Sequence, residues 1–193
     1  MRDALFVGLA DGDVRLEPLH QRHREGLRAA CGADDEIWAI YPVRYDGGHF
    51  DAAFDALVAN AQRMPYAVID RQSVAGMTAW LRPDWTAQTV EIGNSFVRPD
   101  ARGSGLNSRM KRLMLDHAFA VGIRRVEFRI DERNARSQAA ARKIGAVKEG
   151  VLRAERVTWT GHIRDTGLYA ILAEQWSEHS ASASVQSESE RGI

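Results

Sequence analysis

The sequence predicts one α/β domain built on a mixed, mostly antiparallel sheet of seven strands flanked by helices. Alternating and β-rich runs account for the strands, and 3.6-residue apolar patterns account for the helices. Three strands follow one another through short turns, which favours antiparallel pairing, whereas later strands are joined through helices, which favours parallel pairing. At 193 residues the chain is long enough to bury a substantial core.

The first half of the chain begins with a strand over residues 13–19, where apolar and polar residues alternate. A helix over residues 20–32 stops at Gly32, and the run DDEIWAIYP predicts a short second helix ended by Pro42. An apolar stripe with helical spacing predicts a third helix over residues 49–64. The runs PYAVID, SVAGMTAWL and TVEIGNSFV then predict three strands of a meander.

The second half predicts an amphipathic helix from Leu106 to Val121, the strand RRVEFRI, a helix in NARSQAAARKIG, and two strands within residues 147–172. The last residues are rich in Ser and Glu and have no apolar periodicity, which is typical of a disordered tail. The predicted domain therefore spans residues 13–173, and the predicted tail spans residues 174–193.

Composition narrows the classes of function. Lys+Arg and Asp+Glu both number 26, and this zero net charge argues against a general nucleic-acid-binding protein. The single cysteine, Cys31, permits no internal disulfide, and no apolar run approaches the ~18 residues of a membrane span. The first residues contain too short an apolar run for a signal peptide. We expect a cytoplasmic protein with no membrane segment and no metal centre.

The stretch VRPDARGSGLNSRM, which starts at Val97, joins the third meander strand to the long helix. Unpaired amides and the positive end of a helix dipole suit a phosphate group, and glycines let that group approach the backbone. The spacing excludes a dinucleotide fingerprint, because Ser108 stands in place of the third glycine, and a P-loop pattern is absent. On its shape alone, the stretch is equally consistent with an ordinary glycine-containing loop bearing solvated arginines.

The run RGSGLN, Arg102 to Asn107, resembles the [Q/R]-x-x-G-x-[G/A] pyrophosphate loop of the GNAT superfamily of acyl-CoA-dependent N-acyltransferases. Asn107 departs from the usual small residue, but Asn107 followed by Lys111 is similar to a variant in the RimJ/RimL-type branch, which resembles ribosomal-protein N-acetyltransferases. The run VEFRIDERNARSQAAARKIGAVKEGVLR, with N-x-x-S at Asn134 and Ser137, and the run RDTGLYAIL resemble the same branch in the same order.

The resemblance implies a GNAT-like fold in which a parallel strand pair splays apart and acetyl-CoA inserts between the strands as a co-substrate. Backbone groups of Phe96 and Val97 would contact its pantetheine arm, and Asn134 would touch the same arm. Ser137 would sit beside the sulfur and donate a proton to it. The pyrophosphate would lie on the loop formed by Arg102, Gly103, Ser104, Gly105, Leu106 and Asn107.

Glu91 is the first candidate for the base that takes a proton from the acceptor amine, because it is a lone charge among apolar strand neighbours. Glu127 in RRVEFRI is the second candidate, and either carboxylate is equally consistent with a solvated or ion-paired residue. A backbone N–H near Val97 is the natural donor to the oxyanion. Long cations near the loop, namely Arg98, Arg102, Arg109 and Lys111, are candidates to flank the coenzyme A phosphates.

These observations predict an acetyl-CoA-dependent N-acetyltransferase that transfers the acetyl group directly to a primary amine, either a protein N-terminus or a small molecule. Two alternatives stay open: a catalytically silent acyl-CoA sensor of the same fold, and an enzyme for a longer acyl donor or for a polyamine or antibiotic. The resemblance implies that the acceptor enters between the early helices and the loop joining the last strands. There Asp34, Asp35 and Glu36 are candidates to attract a cationic acceptor, although an acidic run at a helix N-terminus is favourable in any protein. The resemblance also allows a homodimer.

Overall fold

The computed structural model describes residues 1–177, in which one mixed sheet carries eight strands in the order β1-β2-β3-β4-β5-β6-β8-β7. Every neighbouring pair is antiparallel except β5 and β6, which run parallel, so the predicted α/β fold class is confirmed. The strands are β1 Leu9–Asp11, β2 Val14–Pro18, β3 Arg63–Asp70, β4 Ser73–Asp84, β5 Thr89–Val97, β6 Arg125–Asp131, β7 Val147–Val157 and β8 Ile163–Leu172.

The described sheet has one strand more than the seven predicted. The additional strand, β1, forms a hairpin with β2 through a turn in which Gly12 has a φ of +58°. A strand of three residues is too short for alternation to be visible in the sequence. The other seven predicted strands are all present.

Five α-helices flank the described sheet. Their bounds are α1 Arg2–Leu5, α2 Arg24–Cys31, α3 Phe50–Ala59, α4 Leu106–Ala120 and α5 Ala135–Lys143. The predicted helix over residues 49–64 is too long, because Arg63 and Met64 pair with β4 as the start of β3. The predicted second helix is a 3-10 helix over Glu36–Ile40, which ends just before Pro42. None of the helices in the described part of the chain is long and apolar enough to cross a membrane.

The sheet separates two apolar clusters. One lies under α4 and α5 and includes Trp80, Met110 and Tyr169, all fully buried. The other lies under α2 and α3 and includes Trp38, Phe54 and Phe96. Because α4 and α5 follow β5 and β6 on the same face, their N-terminal ends lie beside the carboxyl ends of these two strands.

The parallel pair β5 and β6 separates after a short pairing. The register runs only from Thr89 opposite Arg125 to Glu91 opposite Glu127, although β5 continues for six residues and β6 for four. Beyond Glu91, β5 has a β-bulge against β4, where two residues oppose one, and Asn94 has a φ of +51°. A bulge bends its strand, so β5 turns away from β6 and leaves a gap in the middle of the sheet.

The C-terminal end of the described chain is helical over residues 173–177. Trp176 is buried in the cluster under α4, and its indole N–H donates to Asp116 Oδ1 at 2.7 Å. Leu5 of α1 belongs to the same cluster. The remainder of the predicted tail, residues 178–193, lies outside the described residues.

Candidate active site

The loop between β5 and α4 presents backbone N–H groups that have no acceptor within the described chain. They belong to Gly103, Ser104 and Gly105, which precede the helix, and to Asn107 and Ser108 in the first turn of this fifteen-residue helix, α4. The φ angles are +81° at Gly103 and +90° at Gly105, and a Cβ added at either position would meet nothing within 4 Å. The conformation thus requires glycine and leaves open space over the amides, which fits a pyrophosphate at a helix N-terminus.

Two cavities meet at the gap between β5 and β6. The loop cavity, about 260 Å³, is lined by the glycine loop together with Val97 and Ser137. The large cavity, about 470 Å³, is lined by β5 and β6 beyond their last pair, by Glu91 and by residues 40–42 after the 3-10 helix. Both cavities are lined by Tyr41, Ser95, Asn107, Ser137 and Ala140. These shared residues define a junction that passes through the sheet.

Of the four cations expected near the loop, only Arg102 lines the loop cavity. Arg109 is held by Asp11 and Asp13, at 3.1 and 2.8 Å, and Arg98 pairs with Asp100 at 2.9 Å, so neither lines the cavity. The cations that do line it are Arg102, Arg136 and Lys143. Arg136 and Lys143 lie on α5, outside the glycine motif, which is why the motif did not reveal them.

Asn134 and Ser137 stand at the start of α5, at the edge of the gap. The Asn134 side chain accepts a hydrogen bond from the Ser137 amide at 3.0 Å, so Asn134 is the N-cap of α5. This cap uses the Ser137 N–H and leaves its hydroxyl at the junction of the two cavities. Asn134 lines the large cavity but not the loop cavity.

Glu91 and Glu127 form the last pair of β5 and β6 but have different surroundings. The Glu91 side chain is 8% exposed and lines the large cavity; its Oε2 has no hydrogen-bond partner and lies 3.5 Å from Arg82 Nε. Burial raises the pKa of Glu91. Glu127 lies outside both cavities, and its Oε1 accepts from Arg125 Nε at 2.9 Å. Of the two candidates, Glu91 alone lines the large cavity, and its Oε2 has no hydrogen-bond partner among the described residues.

Lys111 points into the large cavity rather than toward the loop phosphate position. Its Nζ donates to Ser95 Oγ at 2.8 Å and lies 5.2 Å from the centre of the Phe128 ring. Burial lowers the pKa of Lys111 to about 7. The ammonium is therefore half deprotonated near neutrality, in contrast to a solvated lysine.

Tyr41 is a junction residue that the sequence analysis missed. Its hydroxyl donates to the Ser95 carbonyl at 2.6 Å, across the gap from Ser137, and burial raises its pKa to about 12. A tyrosine directly before Pro42, at the end of the predicted helix, was the available signal.

Several predicted contacts lie outside the cavities. Phe96 lines neither of them; its ring is buried 4.9 Å from the Trp38 ring. The Arg98 amide donates to the Ala75 carbonyl of β4. Successive amides of a strand point to opposite edges. The preceding amide, that of Val97, therefore faces the gap. Ser104 and Leu106 also line neither cavity, because the Ser104 hydroxyl donates to the Ala101 carbonyl and Leu106 is buried in the core.

The acidic run before the 3-10 helix does not line the large cavity, contrary to the expectation of a cationic acceptor site. Asp34 is bound to Arg102 at 2.6 Å and accepts from the Ile37 amide at 3.2 Å. Asp34 therefore supports the glycine loop instead. Among the described residues, no group of three or more His, Cys, Asp or Glu side chains is arranged to hold a metal ion.

The fold has close counterparts among solved structures. A structure from Chromobacterium violaceum assigned to the GNAT family is 30% identical, with a TM-score of 0.83 and 89% of each chain covered. A GCN5-related N-acetyltransferase from Brucella melitensis is 28% identical, with a TM-score of 0.81, covering 88% of this chain and 80% of that one.

More distant structures share the fold alone. RimJ of Mycobacterium smegmatis, solved with CoA-disulfide, is 22% identical, with a TM-score of 0.72, covering 84% of this chain and 83% of that one. A spermidine N-acetyltransferase from Vibrio cholerae, solved with CoA and spermine, is 14% identical at a TM-score of 0.70, covering 86% and 99%. The Microcin C7 self-immunity acetyltransferase MccE, solved with acetyl-CoA and AMP, is 16% identical at a TM-score of 0.74, covering 84% and 93%.

No curated protein sequence matches the chain significantly. The sequence profile described as the acetyltransferase (GNAT) domain matches residues 13–147, which is well over half of the chain. With the glycine loop, the splayed parallel pair and the cavity junction in place, this match and the solved relatives agree: the chain belongs to the GNAT family of acetyltransferases.

Proposed function

We propose that this protein is an acetyl-CoA-dependent N-acetyltransferase that transfers the acetyl group directly to a primary amine. Family membership supports the acyl donor and the class of reaction. The observation that carries the proposal is the junction of the two cavities, because it gives a donor and an acceptor separate entries to one point beside Ser137. Direct transfer needs such a meeting point, whereas a sensor needs only the loop cavity.

The donor side fits acetyl-CoA through the backbone. The unbonded amides from Gly103 to Ser108 would hold the pyrophosphate, and Arg136 and Lys143 would face the other phosphate charge. The thioester would lie at the junction, within reach of the Val97 N–H as donor to the oxyanion. A contact of the Phe96 backbone with pantetheine stays a prediction.

The acceptor side supplies a place for the proton that the amine must lose. An alkyl ammonium has a pKa of about 10.4, so the amine must lose one proton before it attacks the thioester carbonyl. We assign that role to Glu91, which lines the large cavity and whose Oε2 accepts no hydrogen bond from the described residues. After attack, the C–S bond breaks and the departing thiolate takes a proton from the Ser137 hydroxyl. Ser137 then regains a proton from solvent, and Glu91 releases the amine proton to solvent.

The narrower predictions rest on the sequence. Assignment to the RimJ/RimL-type branch depends on Asn107, Lys111 and the N-x-x-S motif, since the RimJ likeness at 22% identity supports only the fold. Cytoplasmic location and a homodimer are likewise predictions from composition and resemblance. The fold itself leaves the acceptor open, because structures of this fold hold spermine in one case and AMP in another.

The experiment that tests the proposal is an acetyl-CoA turnover screen in which release of free thiol is followed with N-terminal peptides, lysine peptides, polyamines, aminoglycosides and small anionic amines. We expect amine-dependent thiol release and an acetylated amine in the mass spectrum. Tight binding of acetyl-CoA with no turnover of any amine would contradict the proposal and favour the acyl-CoA sensor.

A further inference from the structure

The large cavity has an excess of positive charge. Two carboxylates line it, Glu91 and Asp131, against six cations: Arg63, Arg82, Lys111, Arg129, Arg156 and Arg164. The chain as a whole has equal numbers of acidic and basic residues, so this excess is a local feature. A cavity of about 470 Å³ is within the usual size range for small ligands.

The ion pairs inside the cavity are loose. Arg129 Nε lies 3.8 Å from Glu91, and Arg164 Nε lies 3.9 Å from Asp131; neither nitrogen has a hydrogen-bond partner within the described chain. Asp131 is already taken by Arg133, at 2.7 and 3.0 Å. By contrast, ion pairs on the outer surface, such as those of Arg28 and Arg109, close to 2.7–3.1 Å.

Arg164 is the most informative of these cations. It is 5% exposed, and it lies directly opposite Arg156 in the antiparallel pairing of β7 and β8. Like charges at opposed positions destabilise a sheet, and a buried charge needs a partner. Arg156 has one in Glu155, at 2.6 Å, whereas Arg164 makes its closest polar contact with the Arg129 carbonyl at 3.1 Å.

Arg63, on β3 at the other end of the cavity, is independent evidence for an anion-binding site. It is half-buried and has no carboxylate within 4.0 Å among the described residues. Its guanidinium interacts with the neutral Tyr45 hydroxyl. No acidic partner among the described residues therefore neutralises its charge, which is available to an anionic ligand.

Resting on the proposed function, we propose that the acceptor is a small primary amine that also carries an anionic group, a phosphate or a carboxylate. The amine lies toward Glu91 and the cavity junction, and the anionic group is bound by arginine side chains at one end of the cavity, either Arg164 with Arg129 or Arg63. A polyamine would place further positive charge among these six cations and is disfavoured.

The test compares matched amines with the wild-type enzyme and acetyl-CoA. O-phosphoethanolamine is paired with ethanolamine, and β-alanine with 3-aminopropanol, so that each pair differs in the anion; spermidine is the cationic probe. We expect kcat/KM to favour one anionic member by about 100-fold, because unpaired buried donors penalise the neutral analogue. The favoured pair identifies the anion as phosphate or carboxylate. Turnover without this preference, or best with spermidine, would overturn the inference and leave the proposed function intact.

Arginine variants locate the contact. Arg63→Gln and Arg164→Gln should each be examined with the preferred anionic amine and its neutral partner. We expect at least one of them to raise KM for the anionic amine about ten-fold, with little change in kcat and no rise in KM for the neutral amine. Arg153→Gln is the matched control, because Arg153 is exposed on β7 outside the cavity.

Folding of Arg164→Gln is checked by its melting temperature and acetyl-CoA affinity. If that variant fails to fold, Arg63→Gln and the comparison of matched amines with the wild-type enzyme still test whether the acceptor carries an anionic group. Unchanged KM for the anionic amine in every folded cavity variant would overturn the assignment to these arginines.

Discussion

The two cavities that meet beside Ser137 are built in different ways. The loop cavity draws its hydrogen-bond donors mainly from the backbone of one segment, Arg102 to Ser108, with cations at its edge. The large cavity is formed by side chains from six strands and two helices, several of them charged and buried. A backbone site presents the same donors whatever the neighbouring side chains are, so donor binding is separable from acceptor choice.

The two cavities also differ in their response to pH. The large cavity contains Glu91, whose pKa burial raises, and Lys111, whose pKa burial lowers to about 7. The backbone amides that define the loop cavity do not titrate. Changes of pH near neutrality should therefore alter the acceptor side and its chemistry more than they alter the affinity for acetyl-CoA.

The largest expected effect is on the acceptor side, from Glu91→Gln. Loss of the base should lower kcat/KM by about 10²–10⁴-fold near neutral pH, with unchanged affinity for acetyl-CoA. Part of the loss should be recovered as pH rises and free amine accumulates. In the wild type, burial raises the pKa of Glu91, so the rate should fall as pH decreases through that raised value. The measurement is steady-state rate against pH.

Glu127→Gln is the matched control for Glu91→Gln, because Glu127 pairs with Glu91 in the sheet but is bound by Arg125 and lines neither cavity. We expect a small effect on the rate. Equal losses in the two variants, or a wild-type rate in Glu91→Gln, would remove Glu91 from the mechanism.

The corresponding change on the donor side is Gly105→Val. A β-branched residue is strained at a φ of +90°, and its side chain would occupy the open space over the loop amides. We expect the Kd for acetyl-CoA, measured by calorimetry, to increase about 100-fold, which corresponds to ~2.7 kcal/mol. Gly122→Val introduces the same strain, at a φ of +91°, at the far end of α4. If both variants bound acetyl-CoA equally well, the pyrophosphate would have to lie elsewhere.

A smaller effect is expected at the junction, from Ser137→Ala. The N-cap should persist, because Asn134 accepts from the Ser137 amide and not from its hydroxyl. We expect a rate about ten- to a hundred-fold lower at every pH below the pKa of the thiol, since a thiolate leaves without assistance more easily than an alkoxide does. Ser137→Thr keeps a hydroxyl and should retain most of the rate. A wild-type rate for Ser137→Ala would exclude Ser137 as the proton donor.

The same contrast explains which features could be predicted from sequence. The glycine loop and the Asn134 cap are local, because backbone angles and a three-residue spacing define them. The arginines of the large cavity depend on register: Arg164 faces Arg156 through a bulged pairing, and Arg63 belongs to a strand that the helical pattern concealed. Such neighbours come from distant segments, and no local motif relates them.

Lys111 is an intermediate case. Lys111 follows the glycine loop closely in the sequence, and this proximity favours a position near the coenzyme A phosphates. Its spacing carried a different signal, since Lys111 stands three, four and seven residues before Met114, Leu115 and Ala118, within the buried stripe of α4. A lysine in an apolar stripe indicates a buried amine, and the structure confirms that it is buried.

The smallest expected effect is on stability, from Lys111→Met. The pKa of Lys111 is about 7 when folded, against an ordinary value of 10.5, so between these pH values the unfolded chain binds more protons. This lysine therefore makes the wild type less stable as pH falls from about 10.5 to about 7. Methionine has a similar length and does not titrate. We expect Lys111→Met to be more stable at pH 7, by roughly 1–2 kcal/mol, with the difference shrinking at pH 9.

Thermal unfolding at pH 6.5, 7.5 and 9 measures this difference, with Lys143→Met as the control because Lys143 is exposed on α5 at the loop cavity. The control should keep the wild-type dependence of melting temperature on pH, since an exposed ammonium is solvated in both states. Glu91 opposes the effect, because its charge favours the protonated lysine. In Glu91→Gln, which keeps Lys111, stability should therefore rise more steeply with pH. A melting temperature for Lys111→Met below that of the wild type at pH 7 would mean that Lys111 is held as a paired cation. The large cavity would then lack the titration of Lys111 that distinguishes it from the loop cavity.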